Sequence, residues 1–144
     1  MTKIARGVRV VAALITTDEG RRVLVQQRPL GRLRPLLWEF PGGKVETDET
    51  DVVALRREAG EELGVDLDVG SHCFQCACGY PDIDVELHFY RARITSGTPR
   101  PLNGQLLREV AWDELSNLSF CEADRPFVEA LVKAASEGSG RLPE

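Results

Sequence analysis

Apolar residues in this chain fall into short runs whose spacing switches between two periods. Val8 to Thr17 (VRVVAALITT) is almost continuous in β-branched and small apolar residues, the pattern of a buried strand. Asp18-Glu19-Gly20 is a turn signal, and Arg22 to Arg28 (RVLVQQR) alternates as the second strand of a hairpin. Pro29 to Pro35 predicts a loop of basic and turn-forming residues, and Leu37 to Phe40 a short strand entering Pro41-Gly42-Gly43. The period then changes. Val52, Leu55, Ala59 and Leu63 recur three and four apart, so Asp51 to Leu63 predicts a helix with one apolar stripe. Thr50 or Asp51 suits its N-cap, and Gly64 a left-handed residue just past its end.

Strand character returns in Asp66 to Gly79 and Ile83 to Ile94, joined at Tyr80-Pro81-Asp82. Ser96 to Gln105 is a polar, Pro- and Gly-rich loop, Glu109 to Trp112 a short strand, and Asp113 to Leu115 a turn into Leu118-Ser119. Ala123 to Ser136 regains the helical period, with Phe127, Leu131, Ala134 and Ala135 on one side, and the tail from Gly138 is expected to fray. Strands on both sides of a central helix, with a second helix at the end, predict an α/β domain with a mixed sheet between helices. At 144 residues, without repeat or linker, the chain reads as one domain spanning residues 1–144, with its core over about residues 6–136.

A net charge of −5 and a pI near 5.2 argue against a nucleic-acid backbone as partner and suit a small anion carried with a divalent cation. No stretch approaches the 18 apolar residues of a membrane-spanning helix. The opening MTKIARGVRV has no apolar core of a signal peptide, so the cytoplasm is the expected compartment. Cys73, Cys76, Cys78 and Cys121 contain one zinc-like spacing, Cys73 to Cys76, but no second pair follows. Buried free thiols are the expected state in a reducing compartment.

The most informative segment is Gly43 to Val65, GKVETDETDVVALRREAGEELGV. On the predicted helix Glu58, Glu61 and Glu62 stand at i, i+3 and i+4 and cover an arc of about 100° beside the apolar stripe. A solvated acidic face would carry two penalties. Glu58 and Glu62 repel at i,i+4, and all three acids lie in the last turn, where the helix dipole disfavours negative charge. A bound cation reverses both, and carboxylates with water and phosphate are what Mg²⁺ and Mn²⁺ prefer. The full pattern is G-x5-E-x7-R-E-A-x-E-E-x-G-V. With each fixed residue occurring at a chance of roughly 0.07, Gly43, Glu49, Arg57, Glu58, Glu61, Glu62 and Gly64 coincide by accident on the order of once in 10⁸ windows.

This pattern resembles the Nudix box, and the chain resembles the Nudix hydrolases over about residues 6–136. The resemblance implies an α/β/α sandwich and hydrolysis of a nucleoside diphosphate linked to another group, with Mg²⁺ or Mn²⁺ as cofactor. It implies metal on Glu58, Glu61 and Glu62 with the Gly42 backbone carbonyl. Arg57 would orient a glutamate, Glu49 hold the loop, and Glu58 serve as first choice of base in a catalytic set with Arg57 and Glu61. A homodimer is common in the family, although nothing in the sequence locates an interface.

Trp38-Glu39-Phe40-Pro41-Gly42-Gly43-Lys44-Val45-Glu46 is similar to the MutT-type branch, which converts canonical or oxidised nucleoside triphosphates (8-oxo-dGTP or CTP, for example) to monophosphate and pyrophosphate. That likeness implies substrate contacts at Arg28, Phe40, Lys44, Tyr80, Asp82 and Asp124. Bland alternatives stand beside them. Arg28 is also a solvated strand end, Phe40 core, Tyr80 a core cap, Arg57 a surface ion pair, and Asp124 an N-cap of the last helix. Three departures bear on substrate. Asp124 stands where guanine-sanitising members carry asparagine, and an ionised carboxylate only accepts. Ile83 stands where they carry a basic residue. The acid of a metal-binding loop is missing near Asn103-Gly104-Gln105, leaving Glu109 or the box acids alone. Two competing functions are a Nudix hydrolase of a nucleotide sugar, dinucleoside polyphosphate or RNA 5′ end, and a non-catalytic nucleotide-binding module.

Overall fold

The computed structural model describes residues 7–138. Most of the expected frayed tail, and the first six residues of the N-terminal segment, lie outside that range. The strands are β1 (Gly7–Thr17), β2 (Arg22–Gln27), β3 (Trp38–Glu39), β4 (Gly42–Lys44), β5 (Asp66–Gly79), β6 (Asp84–Ser96) and β7 (Leu106–Ala111). The helices are α1 (Asp51–Leu63) and α2 (Arg125–Ser136), with 3₁₀ turns at Trp112–Asn117 and Glu122–Asp124.

Strand β1 organises the molecule. It runs parallel to β6 from Gly7 to Ile15, and β6 in turn pairs antiparallel with β5, so the sheet is mixed as expected. Its buried side chains alternate between two cores. Val11, Ala13 and Ile15 pack with Ala54, Leu55, Ala59 and Leu63 of α1, while Ala12 and Leu14 pack with Phe127, Leu131 and Ala134 of α2. Burial on both faces is why this segment reads as continuously apolar rather than alternating. The result is the helix–sheet–helix layering of the predicted α/β/α sandwich.

The predicted helix Asp51–Leu63 matches residue for residue. Thr50 caps it through Oγ1, which accepts from the Val53 N–H at 3.2 Å, and Gly64 closes it in the left-handed region at φ 72°. Its buried stripe contains Ala54, whereas Val52 is 40% exposed. The smaller alanine packs against the sheet, and the stripe is rotated by part of a turn.

Four further departures are local. Gly42–Lys44, where no strand was expected, forms β4 by pairing with Val10–Ala12 in place of β2, which meets β1 only at Thr16 and Thr17. Glycine permits this approach, since a Cβ on Gly42 would lie 2.0 Å from the Val11 carbonyl oxygen. Strand β7 starts at Leu106 and not at Glu109, because it pairs along all of β2. Trp112, expected at the strand end, instead opens a 3₁₀ turn. Asp124 precedes α2 with helical backbone angles, and its side chain makes no capping bond, so the N-cap alternative fails.

Candidate functional site

The loop before α1 is built around Arg57. Its Nε and Nη2 form a two-pronged ion pair with Glu49 at 2.6 and 2.9 Å, Nη1 reaches Glu58 at 3.1 Å and Glu61 at 3.3 Å, and Nη2 also donates to the Lys44 carbonyl at 3.0 Å. Glu49 in turn accepts from the Glu46 N–H at 2.9 Å. Arg57 is therefore the hub that ties loop, β4 and helix together, which a surface ion pair does not do. The same contacts hold the Glu49 carboxyl below its usual range.

Glu58 and Glu62 line a cavity of about 430 Å³, within the range of small-molecule sites. Glu62 is pushed up to about 8, first by burial and then by the negative charges of Glu58 and Glu39, against a hydrogen bond from Gln26. Glu58 is raised as well, mainly by burial, with Arg57 opposing. A Cβ on Gly43 would sit 2.3 Å from the Glu58 carboxyl, so glycine clears the space that carboxyl occupies. Two crowded, oxygen-only acids whose charged forms cost free energy fit a hard divalent cation. Glu61 stands outside this pair, bonded to Arg57 and 59% exposed.

The cavity continues past Gly42, Gly43 and the exposed Lys44 to Phe40, Arg28, Tyr80, Asp82, Ile83 and Asp124. All the predicted substrate residues thus line one space. Phe40 serves both readings, since it is also buried against Phe89, Phe120 and Phe127. Arg28 is not a solvated strand end. It is half-buried, bonded to Glu39 at 3.0 Å and to the Leu33 carbonyl at 2.7 Å. Tyr80 is anchored at both ends: its hydroxyl accepts from the Ala123 N–H at 2.8 Å, and the Arg34 guanidinium covers its ring at 3.8 Å. Asp82 pairs with the same Arg34 at 2.6 Å.

Asp124 is 5% exposed, and burial followed by the Glu39 charge raises its carboxyl well above the usual range. It was expected to be ionised and to act as an acceptor only. Burial and the Glu39 charge thus disfavour the ionised form, and a carboxyl that keeps its proton would add an O–H donor to its acceptor. Glu109 does not reach the cavity; it is exposed on β7 and accepts from Thr17 Oγ1.

Four residues of the site escaped the sequence. Gln26 donates toward Glu39 and Glu62, and Gln105 donates to Gln26 and to the Glu62 carbonyl at 3.0 Å, bracing the end of α1. Gln105 lies where an acid was missed, and it is a structural amide. Glu39 links Arg28 to Gln26, and Arg34 roofs Tyr80. Only Gln26 left a trace, as a polar residue ending an apolar strand. The four cysteines are free, and Glu39, Cys121 and Asp124 form the only cluster of potential metal ligands of that size among the described residues. Its thiol suits a softer metal than Mg²⁺.

A Nudix domain model matches residues 6–131. The chain belongs to the Nudix family. Among Nudix relatives, it is 34% identical to the CTP pyrophosphohydrolase of Escherichia coli over 125 residues, covering 87% of this chain and 91% of that protein. It is 39% identical to the 8-oxo-dGTP diphosphatase of Proteus vulgaris over 80 residues, 56% of this chain and 71% of that protein. The solution structure of the Escherichia coli ORF135 protein superposes with a TM-score of 0.77 at 32% identity, covering 92% of this chain and 93% of that one. This Nudix chain is an enzyme of the hydrolase class, and no helix among its described residues is long and apolar enough to cross a membrane.

Proposed function

We propose that this Nudix hydrolase converts nucleoside triphosphates, cytidine or oxidised guanine nucleotides foremost, to monophosphate and pyrophosphate with Mg²⁺ or Mn²⁺. The observation that carries the reading is one cavity joining the Glu58–Glu62 pair at one end to Asp124 and Tyr80 at the other. The names of the relatives above point the same way. Glu58, Glu62 and the Gly42 carbonyl are the groups that would hold a divalent ion, with Glu61 at the rim. When bound, the ion neutralises phosphate oxygens and lowers the cost of bringing an anion to an acidic protein.

The chain's own residues do the rest. Arg57 fixes Glu58 while Glu58 takes the proton of an attacking water. The new bond joins that water oxygen to phosphorus, and the bond to the departing pyrophosphate breaks. Lys44 lends positive charge to the cavity. Arg28 holds Glu39 through Nη1 and the Leu33 carbonyl through Nε, and it lends its charge to the cavity it lines. Asp124 hydrogen-bonds the base edge, accepting from an amino group and, where burial keeps its proton, donating to a ring nitrogen or carbonyl.

The test is steady-state hydrolysis of a panel of canonical and oxidised (d)NTPs, nucleotide sugars and dinucleoside polyphosphates, with Mg²⁺ and with chelator. Turnover concentrated in the triphosphates and abolished by chelator is expected. Preference for a nucleotide sugar, or binding without turnover of any compound, would overturn the reading.

A further inference from the structure

The loop between β2 and β3 is folded inside out. Leu30, Leu33 and Leu36 are 74%, 64% and 49% exposed, while Arg34 between them turns inward, its side chain only 19% exposed. Soluble proteins rarely bury a charge while exposing apolar neighbours without a reason. Arg34 and Leu36 both hold positive φ, 54° and 63°, a conformation that bulky residues adopt only when the surroundings impose it.

The inward guanidinium is held from two sides. One face lies on the Tyr80 ring at 3.8 Å, and Nη2 bonds Asp82 at 2.6 Å. Asp82 is nearly half exposed, and an ion pair with such an acid contributes too little to account for the strained backbone. Arg34 Nε is buried and has no hydrogen-bond partner among the described residues. The protein therefore leaves the Arg34 guanidinium incompletely satisfied. Arg34 lines the cavity that also holds Asp124, and the apolar Ile83 lines it too.

We propose that Arg34 is a specificity-determining residue, reaching the base end of the cavity from the β2–β3 loop to give a carbonyl oxygen or ring nitrogen of the nucleobase the cationic donor that Ile83 cannot. Tyr80 and Asp82 are then positioning residues for Arg34. The ring that would otherwise stack on the base is covered by the guanidinium, which offers its own flat face in place of the ring. The inference rests on the function proposed above.

The experiment measures KM and kcat for the nucleotide panel in the full chain, Arg34→Ala and Arg34→Lys, with magnesium tripolyphosphate as a competitor lacking any base. Loss of a charge-assisted hydrogen bond predicts a rise in KM of about ten- to a hundredfold, with kcat within about twofold. The ranking among bases narrows, the inhibition constant for tripolyphosphate stays unchanged, and lysine, lacking the planar fork, does not restore the parent values. An active parent whose KM and base ranking survive Arg34→Ala overturns this inference alone. So does an inhibition constant for tripolyphosphate that rises in step with KM, since that marks general collapse of the cavity. A parent that neither hydrolyses nor binds any nucleotide overturns the proposed function and this inference together.

Discussion

Replacing Glu62 with glutamine separates the cost of the site from its use. Burial and the charges of Glu58 and Glu39 move the Glu62 carboxyl from 4.5 to about 8. At about 1.4 kcal/mol per tenfold change, ionising it in the folded, metal-free protein costs on the order of 3 to 5 kcal/mol. The unfolded chain releases this proton near 4.5 and the folded chain near 8. Between those values the folded state holds more protons, so stability falls as pH rises. Glu58, raised in the same direction, adds to the slope. Glutamine keeps the shape and the contact with Gln26 and cannot ionise. Metal-free Glu62→Gln is therefore expected to have a flatter profile from pH 5 to 9 and to exceed the parent by about 3 kcal/mol at pH 9, read from urea unfolding. Added Mg²⁺ stabilises the parent increasingly as pH rises and leaves the variant nearly unchanged. Turnover of the variant falls on the order of a thousandfold. A variant less stable than the parent at pH 9, or one that keeps its turnover, would refute the reasoning.

Gly43→Ala places a methyl where the Glu58 carboxyl lies, and because a flexible carboxyl end can swing aside, kcat/KM should drop at least about tenfold while Tm moves by less than about 3 °C. A loss of folding instead would show that Gly43 serves the backbone. Thr50→Ala removes the cap of α1 and should cost about 1 kcal/mol in urea unfolding, an effect absent from Thr50→Ser. Asp124→Asn mimics the neutral acid and should keep KM within about fivefold, whereas Asp124→Ala should raise it about ten- to a hundredfold. Equal losses in the two variants would mean that the carboxyl acts as a charged group.

Helix α1 and its caps were legible in the sequence because local signals and tertiary packing agree there. The apolar stripe, Thr50 and Gly64 all mark the same boundaries. Fixed spacing carried the acids and Arg57, since one helix places them all. Strand β4 was hidden because its partner, β1, is distant in sequence and Gly42-Gly43 carries no side-chain pattern of a strand. The far end of the cavity was hard for a related reason. Arg34, Glu39 and Asp124 come from three separate segments, and each alone looks like a loop, strand-end or capping residue. The charge state of Asp124 depends on burial and on Glu39, neither of which a neighbouring residue announces.

The central claim is that one cavity cleaves a nucleoside triphosphate and releases pyrophosphate. Product analysis by anion-exchange chromatography, after incubation of CTP and 8-oxo-dGTP with the full chain, tests it most directly. The account predicts monophosphate and pyrophosphate in equal amounts, formed with Mg²⁺ or Mn²⁺ and abolished by chelator or by Glu62→Gln. Diphosphate with orthophosphate, or cleavage that persists in chelator, would contradict it.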